Sequence, residues 1–232
     1  GYHVDDQFNL RFTGEQEDQA KDMGFLMMAF LVAIFVVFLI IVAQFNSISY
    51  PLIVMSTVLF STIGVFLGLI VFRMDFVIMM TMLGIISLIG VVVNNAIVLM
   101  DFARLLFARA QRKLGLAEEA IIPIDESREA LVVAGRTRLR PVLLTAITAV
   151  LGLLPLAIGL NFNFFTLFSE LDPHIHMGGD NVVFWGPLSW AVIFGLIFAT
   201  FLTLILVPVM LLIVQKIKHR KQWKRQMREA AT

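Results

Sequence analysis

The chain has 232 residues, of which 59% are hydrophobic, including 21 phenylalanines and 12 methionines. A soluble domain carries about 45–50% apolar residues, so this composition excludes an ordinary soluble domain and indicates an integral membrane protein. The lack of cysteine excludes disulfides and thiolate metal sites. The net charge of +1 carries no information on partners until the charges are placed along the chain.

The first segment, residues 1–23, is polar and mostly acidic. It begins without an initiator methionine and has no signal peptide. We therefore expect a piece of a longer protein, whose preceding part would carry this segment across the membrane.

Five apolar stretches follow the polar segment, and each is long enough to cross a bilayer, which takes about 20 residues in a helix. Two of them open with a proline, Pro51 and Pro141, which the first turn of a helix tolerates because the missing N–H has no intrahelical partner there. The sequence predicts an all-α membrane protein, a bundle of five transmembrane helices at residues 24–43, 49–72, 76–100, 141–160 and 187–215.

The basic residues lie almost entirely in two segments. The linker 101–140 holds eight of the 18 lysines and arginines, the tail 216–232 holds seven, and the loop 161–186 holds none. Because positive charge accumulates on the cytoplasmic side, we predict a cytoplasmic linker and a basic cytoplasmic tail. With five crossings, the N-terminal segment and the loop 161–186 are then outside.

The linker 101–140 is predicted to form two short helices. Residues 101–113 place Phe102, Leu105, Leu106 and Ala110 on one face, which is typical of a helix lying at the cytoplasmic membrane surface. We expect this helix to stop at Gly115. The second helix is expected to start near residue 125 or 127, after a proline, and to end near residue 135.

Small residues recur at four-residue spacing in two of the predicted helices. This spacing lets helix backbones approach closely in lipid. The sequence therefore predicts helix-packing positions at Gly64, Gly68, Ala191, Gly195 and Ala199.

Two adjacent amides, Asn94 and Asn95, lie in the uncharged third stretch. An amide in hydrocarbon needs a hydrogen-bond partner, so we predict that at least one of them faces other protein or a water-filled cavity. The alternative is that they only hold helices together, at about 0.6–2 kcal/mol per hydrogen bond.

The remaining polar residues give no signature of catalysis. We find no nucleophile–base pair, phosphate-binding loop or convincing metal-ligand spacing, so we predict no enzyme and no metal site. In the loop 161–186, His174 and His176 beside Asp172 and Asp180 are a weak candidate for zinc or copper. The aromatic residues nearby are typical of a belt at the membrane interface, and they are Phe162, Phe164, Phe165, Phe168, Trp185 and Trp190.

Six short segments occur in the order in which a known family of transporters has similar ones. They are residues 12–15 (FTGE), 44–47 (QFNS) followed by Pro51, 90–101 (GVVVNNAIVLMD), 136–145 (RTRLRPVLLT), 152–156 (GLLPL) and 202–208 (LTLILVP). Together they resemble the second membrane half of the resistance-nodulation-division (RND) superfamily of proton-driven exporters.

This resemblance implies the C-terminal membrane segment of an efflux transporter for drugs or other small amphiphiles. The protein would be a multi-pass inner-membrane pump of Gram-negative bacteria and a homotrimer. Its partners would be the N-terminal half and porter domains of the same transporter, a periplasmic adaptor and an outer-membrane channel. Residues 1–23 would be a periplasmic stub leading from a missing porter domain. The resemblance implies no cofactor, since the proton gradient supplies the energy.

The resemblance also implies a role in supporting a proton relay for four residues. Asn94 stands where drug-exporting relatives have a lysine, and Asn95 aligns with the asparagine after it. Arg138 and Thr145 align with the arginine and threonine that complete the relay network. None of the five stretches contains Asp, Glu, Lys or His, so the proton carriers would be carboxylates outside this chain.

Two of these residues also have an ordinary structural interpretation. Thr145 would then bond a backbone carbonyl of its own helix, and Arg138 would extend towards the membrane interface as an anchor. Two functional alternatives also stay open, namely a partner-dependent half-subunit of the protein-export type and an inactive truncated remnant.

Overall fold

The computed structural model describes residues 15–116, 121–161 and 176–229. Within these ranges the chain forms five helices and a two-stranded antiparallel ladder. The helices are α1 (Glu15–Phe45), α2 (Ser49–Val71), α3 (Ile78–Lys113), α4 (Ile124–Ile158) and α5 (Asp180–Glu229), and the strands are β1 (Leu160–Asn161) and β2 (His176–Met177).

The predicted fold class is confirmed, because all five helices are long and apolar enough to cross a membrane. Four of them, α1, α3, α4 and α5, extend well into polar sequence. At the start of α1, the Lys21 ammonium lies 3.1 Å from the Glu17 carboxylate and 3.9 Å from that of Asp18. Such pairs at four- and three-residue spacing support helix outside the bilayer. At the other end of the chain, α5 continues through the basic tail to Glu229.

The linker is not built from two separate short helices. Helix α3 runs without a break through Asp101 to Lys113, because no glycine or proline lies between residues 91 and 113. Gly115 follows the helix with a φ of 65°, as its predicted role as a stop requires. Three residues of the predicted apolar face, Phe102, Leu106 and Ala110, pack partly buried against the core of the bundle, whereas Leu105 is 45% exposed. The orientation of 101–113 to the bilayer stays a prediction.

The predicted end of the second linker helix near Gly135 is wrong. Helix α4 starts at Ile124, close to the expected position, and continues past Pro141 and Pro155 to Ile158. A proline inside a helix removes one backbone hydrogen bond. The carbonyl that Pro141 leaves without a partner belongs to Thr137, an exposed residue near the basic end of the bundle where water can bond to it.

Glycines set the closest contacts between helices. A Cβ atom on Gly64 would collide with the Phe198 side chain, and one on Gly68 would collide with the Phe194 side chain. These glycines lie on α2 and the phenylalanines on α5, so the four-residue spacing of the two small residues matches that of the two large ones. The three small residues expected on α5 also lie inside the bundle, with Ala191 and Ala199 buried and Gly195 against α2 and α3.

The strand pair closes the loop between α4 and α5. Leu160 pairs with Met177 and Asn161 with His176, and the Asn161 amide donates a 2.6 Å hydrogen bond to the Gly178 carbonyl. The rest of this loop lies outside the described residues, including Asp172, His174 and the four phenylalanines of the predicted aromatic belt. The metal and belt hypotheses for those residues stay predictions.

Trp190 of α5 connects this helix to the end of α4, next to the strand pair. Its indole Nε1 donates a 2.9 Å hydrogen bond to the Ala157 carbonyl in the last turn of α4, where carbonyls have no intrahelical partner. Its ring also stacks on Phe194 at a centroid distance of 5.3 Å. The other tryptophan here, Trp185, is 42% exposed.

We expect Trp190→Phe to lower the unfolding free energy of the intact transporter by about 1 kcal/mol, because the smaller phenyl ring keeps an aromatic group beside Phe194 while the hydrogen bond to Ala157 is lost. Reversible unfolding in mixed micelles measures the change. Trp185→Phe is the matched control and should change stability by less than half as much. Equal effects of the two substitutions would contradict a specific role for the Trp190–Ala157 bond.

Candidate functional site

The two amides of α3 face different surroundings. Asn95 is 8% exposed and lies inside the bundle, whereas Asn94 is exposed. Adjacent residues of a helix point about 100° apart, so the pair cannot serve one surface. Among the described residues, no hydrogen bond from either side-chain amide is found.

Asn94 interrupts an apolar stripe on the outer face of α3. Val91 lies three residues before it and Val98 four residues after it, and these valines are 38% and 36% exposed. The first charged residue beyond the stripe is Asp101, about 10 Å further along the helix. Asn94 therefore presents an amide to the outside of the five-helix bundle within its apolar part.

Arg138 packs against α3 nearer the basic end of the bundle. Its guanidinium carbon lies 4.6 Å from the centroid of the Phe102 ring, a cation–π contact. The side chain is half-buried, and its Nε is a buried donor without a hydrogen-bond partner among the described residues. The arginine is thus held in place by an aromatic face while part of its hydrogen-bonding capacity stays unused.

The contact between Arg138 and Phe102 sets the register of the two helices. Helices α3 and α4 run antiparallel. Leu131 and Ala134, near the start of α4, pack in one cluster with residues near the end of α3. Ala146, further along α4, packs in a second cluster with residues from the first half of α3. Seven residues along each helix, about 10 Å, separate Arg138 from Thr145 and Phe102 from Asn95. Thr145 is therefore level with the two amides, and Arg138 is not.

Thr145 is exposed, and its hydroxyl donates a 2.9 Å hydrogen bond to the Val142 carbonyl of its own helix. This is the purely structural alternative, in which Thr145 bonds a backbone carbonyl of its own helix. The same oxygen keeps lone pairs that can accept a bond from outside the bundle. The structure thus brings Asn94, Asn95 and Thr145 to one level along α3 and α4.

The chemistry available at this level is hydrogen bonding. Amides and a hydroxyl can orient a neighbouring carboxylate, but they do not gain or lose protons in the usual pH range. No group of three His, Asp or Glu side chains able to hold a metal ion occurs within ranges 15–116, 121–161 and 176–229.

Aromatic partners of the arginines were missed in the sequence. Phe102 was assigned only to an apolar helix face, and the contacts of Arg104 with Phe45 and Tyr50, at 5.2 and 5.4 Å from the ring centroids, were not expected. The members of these pairs lie far apart in the chain, and no local pattern in one sequence links them.

Comparisons with known proteins identify the family. A sequence model described as the AcrB/AcrD/AcrF family matches residues 3–161. The swarming motility protein SwrC of Bacillus subtilis (strain 168) is 35% identical over 93% of the chain, which covers 18% of that protein. The multidrug resistance protein MdtC of Erwinia tasmaniensis is 32% identical over 83% of the chain, which covers 16% of MdtC.

A solved structure shares the architecture. The crystal structure of a heavy metal efflux pump matches with a TM-score of 0.65 and 26% identity, covering 88% of this chain and 17% of the pump. The chain thus spans less than a fifth of the length of each of these proteins. Since the family model matches more than half of the chain, the resemblance to the RND superfamily is confirmed, and the chain belongs to the AcrB/AcrD/AcrF family.

Proposed function

We propose that the chain is the C-terminal membrane segment of a proton-driven RND-type efflux transporter that exports drugs or other small amphiphiles. The observation that supports this most is the exposed amide of Asn94 in the apolar part of the bundle. A polar group at this depth needs a partner from protein or a water-filled cavity, so the outer face of α3 and α4 requires a cover. A second membrane half of the same transporter would provide one.

In this proposal the covering half supplies the proton carriers. The five predicted membrane stretches contain no Asp, Glu, Lys or His, so this chain contributes residues that orient carboxylates rather than titrate. Asn94 of α3 and Thr145 of α4 lie at the same position along the two helices, so both could bond one carboxylate of the covering half. Arg138, about 10 Å nearer the basic end, would contribute positive charge and its unpaired Nε. No cofactor is required, because the proton gradient is the energy source.

The relatives support export but differ in the cargo that their names give. One is named for multidrug resistance and one for heavy-metal efflux. We place this chain with exporters of amphiphiles in the bacterial inner membrane, with its N-terminal segment periplasmic and its basic tail cytoplasmic. The assembly would be a homotrimer with a periplasmic adaptor and an outer-membrane channel.

Export by the intact transporter tests this proposal. The intact transporter is expressed in a strain whose own pumps are deleted. It should lower the accumulation of a fluorescent cationic dye several-fold relative to the same strain without it. A protonophore should abolish this difference in accumulation. Inverted membrane vesicles should also show dye-dependent proton release. A transporter that is correctly inserted but neither changes accumulation nor moves protons would contradict the proposal and favour an inactive remnant.

A further inference from the structure

A polar pocket of about 510 Å³ opens at the basic end of the bundle. Its walls come from four parts of the chain, namely the α1–α2 turn, the end of α3, the segment just before α4, and α5. Its volume lies within the range of small-molecule sites, about 300–1,000 Å³. The lining side chains that the argument uses are Asn46, Tyr50, Arg104, Gln215 and Lys218.

Among the described residues, the pocket is lined by positive charge without matching negative charge. Arg104 and Lys218 both line it, and none of its described lining residues is acidic. Neither cation forms an ion pair within the part of the chain that the structure describes. Two uncompensated cations facing one cavity favour an anionic ligand.

The arginine is held ready for such a ligand. Its guanidinium lies over the rings of Phe45 and Tyr50, at 5.2 and 5.4 Å from the centroids, and these rings are 5.4 Å apart. A guanidinium that stacks on aromatic rings keeps its N–H edges available, and these edges match phosphate oxygens. Holding the side chain in one place reduces the entropy lost on binding.

The opposite wall is also fixed. The His219 ring nitrogen Nε2 lies 2.6 Å from the Ile122 carbonyl, so it donates a hydrogen bond to the segment before α4. Ile122 itself is buried. This bond connects the segment before α4 to α5, one residue after Lys218, and so joins two walls of the cavity.

From this geometry we propose that the pocket binds a phosphate group. Arg104 and Lys218 supply the charge, and the amides of Asn46 and Gln215 and the hydroxyl of Tyr50 supply further donors. Tyr50 lies in the first turn of α2, and Gln215 ends the predicted fifth span. From the predicted spans, we place the pocket at the boundary of the hydrocarbon, where the phosphates of an anionic phospholipid lie.

Lipid titration tests this proposal in the intact transporter. Phosphatidylglycerol is titrated into nanodiscs of phosphatidylcholine that hold the protein, and bound lipid is counted by native mass spectrometry. Arg104→Gln combined with Lys218→Gln should weaken phosphatidylglycerol binding about thirtyfold, from the contribution of two basic residues near the membrane surface. Lys218→Gln alone should weaken it about fivefold and does not disturb the Phe45 and Tyr50 contacts.

The control pair is Arg112→Gln with Lys216→Gln. It removes the same charge from the same two helices, at exposed residues that do not line the pocket. Equal losses with both pairs would overturn the proposal in favour of general surface attraction.

Titration with glycerol phosphate in detergent separates the two sources of phosphate. Binding that depends on Arg104 and Lys218 would support the phosphate site with a soluble ligand as its source. If the wild type binds neither ligand, the proposal is wrong. The proposed export is tested separately by dye accumulation, so either proposal can fail alone.

Discussion

Gly195→Ala is expected to destabilise the helix bundle by about 1–3 kcal/mol, the usual cost of overpacking a filled core. The added Cβ would collide with Leu88 of α3 and lie 2.7 Å from Cγ2 of Val65 on α2. Both neighbours are fully buried, so a shift of either side chain has to displace other packed atoms. Alanine favours helix over glycine by about 1 kcal/mol in water, which offsets only part of this cost.

Unfolding of the intact transporter in mixed micelles measures the effect. Gly135→Ala is the control, because a Cβ there meets nothing within 4 Å, and it should leave stability unchanged or slightly higher. In the Gly195→Ala background, Leu88→Ala should cost less than it does in the wild type, since the clash with the leucine is gone. Wild-type stability of Gly195→Ala would show that the α2, α3 and α5 contact is looser than the structure indicates.

The close contact at Gly195 also shows where sequence reasoning ends. Four-residue spacing of small residues predicted which positions allow close approach, but it did not name the partners. Gly64 meets Phe198 across 134 positions of sequence, and Gly195 meets Leu88 across 107. Which large side chain enters which gap depends on how the helices are rotated and shifted, and hydrophobicity hardly constrains this when all surfaces are apolar.

Helix existence was predictable for a simpler reason. An apolar run of bilayer length must form a helix, since its backbone groups have no water to bond to. Outside the bilayer, water can bond to the backbone, so this constraint no longer predicts where a helix begins or ends, and the linker is an example. A proline was interpreted as the start of a helix at Pro141, yet α4 continues through it from Ile124, because the preceding residues are compatible with helix and only one hydrogen bond is lost.

The two amides of the candidate site are visible in the sequence, but their arrangement is not. That Asn94 and Asn95 occur in an apolar run is visible in the sequence. Which of them faces out depends on the contacts of the whole of α3, and the structure places Asn94 outside and Asn95 inside. Likewise, the level of Thr145 follows from the packing of Arg138 on Phe102, a pair that no single-sequence pattern connects.

This arrangement leads to the second large effect, an expected loss of transport in Asn94→Ala. Interhelical hydrogen bonds in membranes contribute about 0.6–2 kcal/mol, which corresponds to roughly 3- to 30-fold in the population of a correctly oriented proton carrier. Because Asn94 lies on the outer face of the bundle, its replacement should leave the stability of the five helices nearly unchanged. Transport should fall while folded yield does not.

Proteoliposomes of the intact transporter under an imposed pH gradient measure this directly, as the rate of dye transport and the number of protons moved per dye. Val98→Ala is the matched control, since this valine lies one turn further on the same stripe and is 36% exposed, yet offers no hydrogen bond. Asn94→Gln keeps the amide and should retain more activity than Asn94→Ala. Wild-type rates and coupling in Asn94→Ala would mean that the exposed amide orients no proton carrier, and its role would then be limited to holding the two membrane halves together.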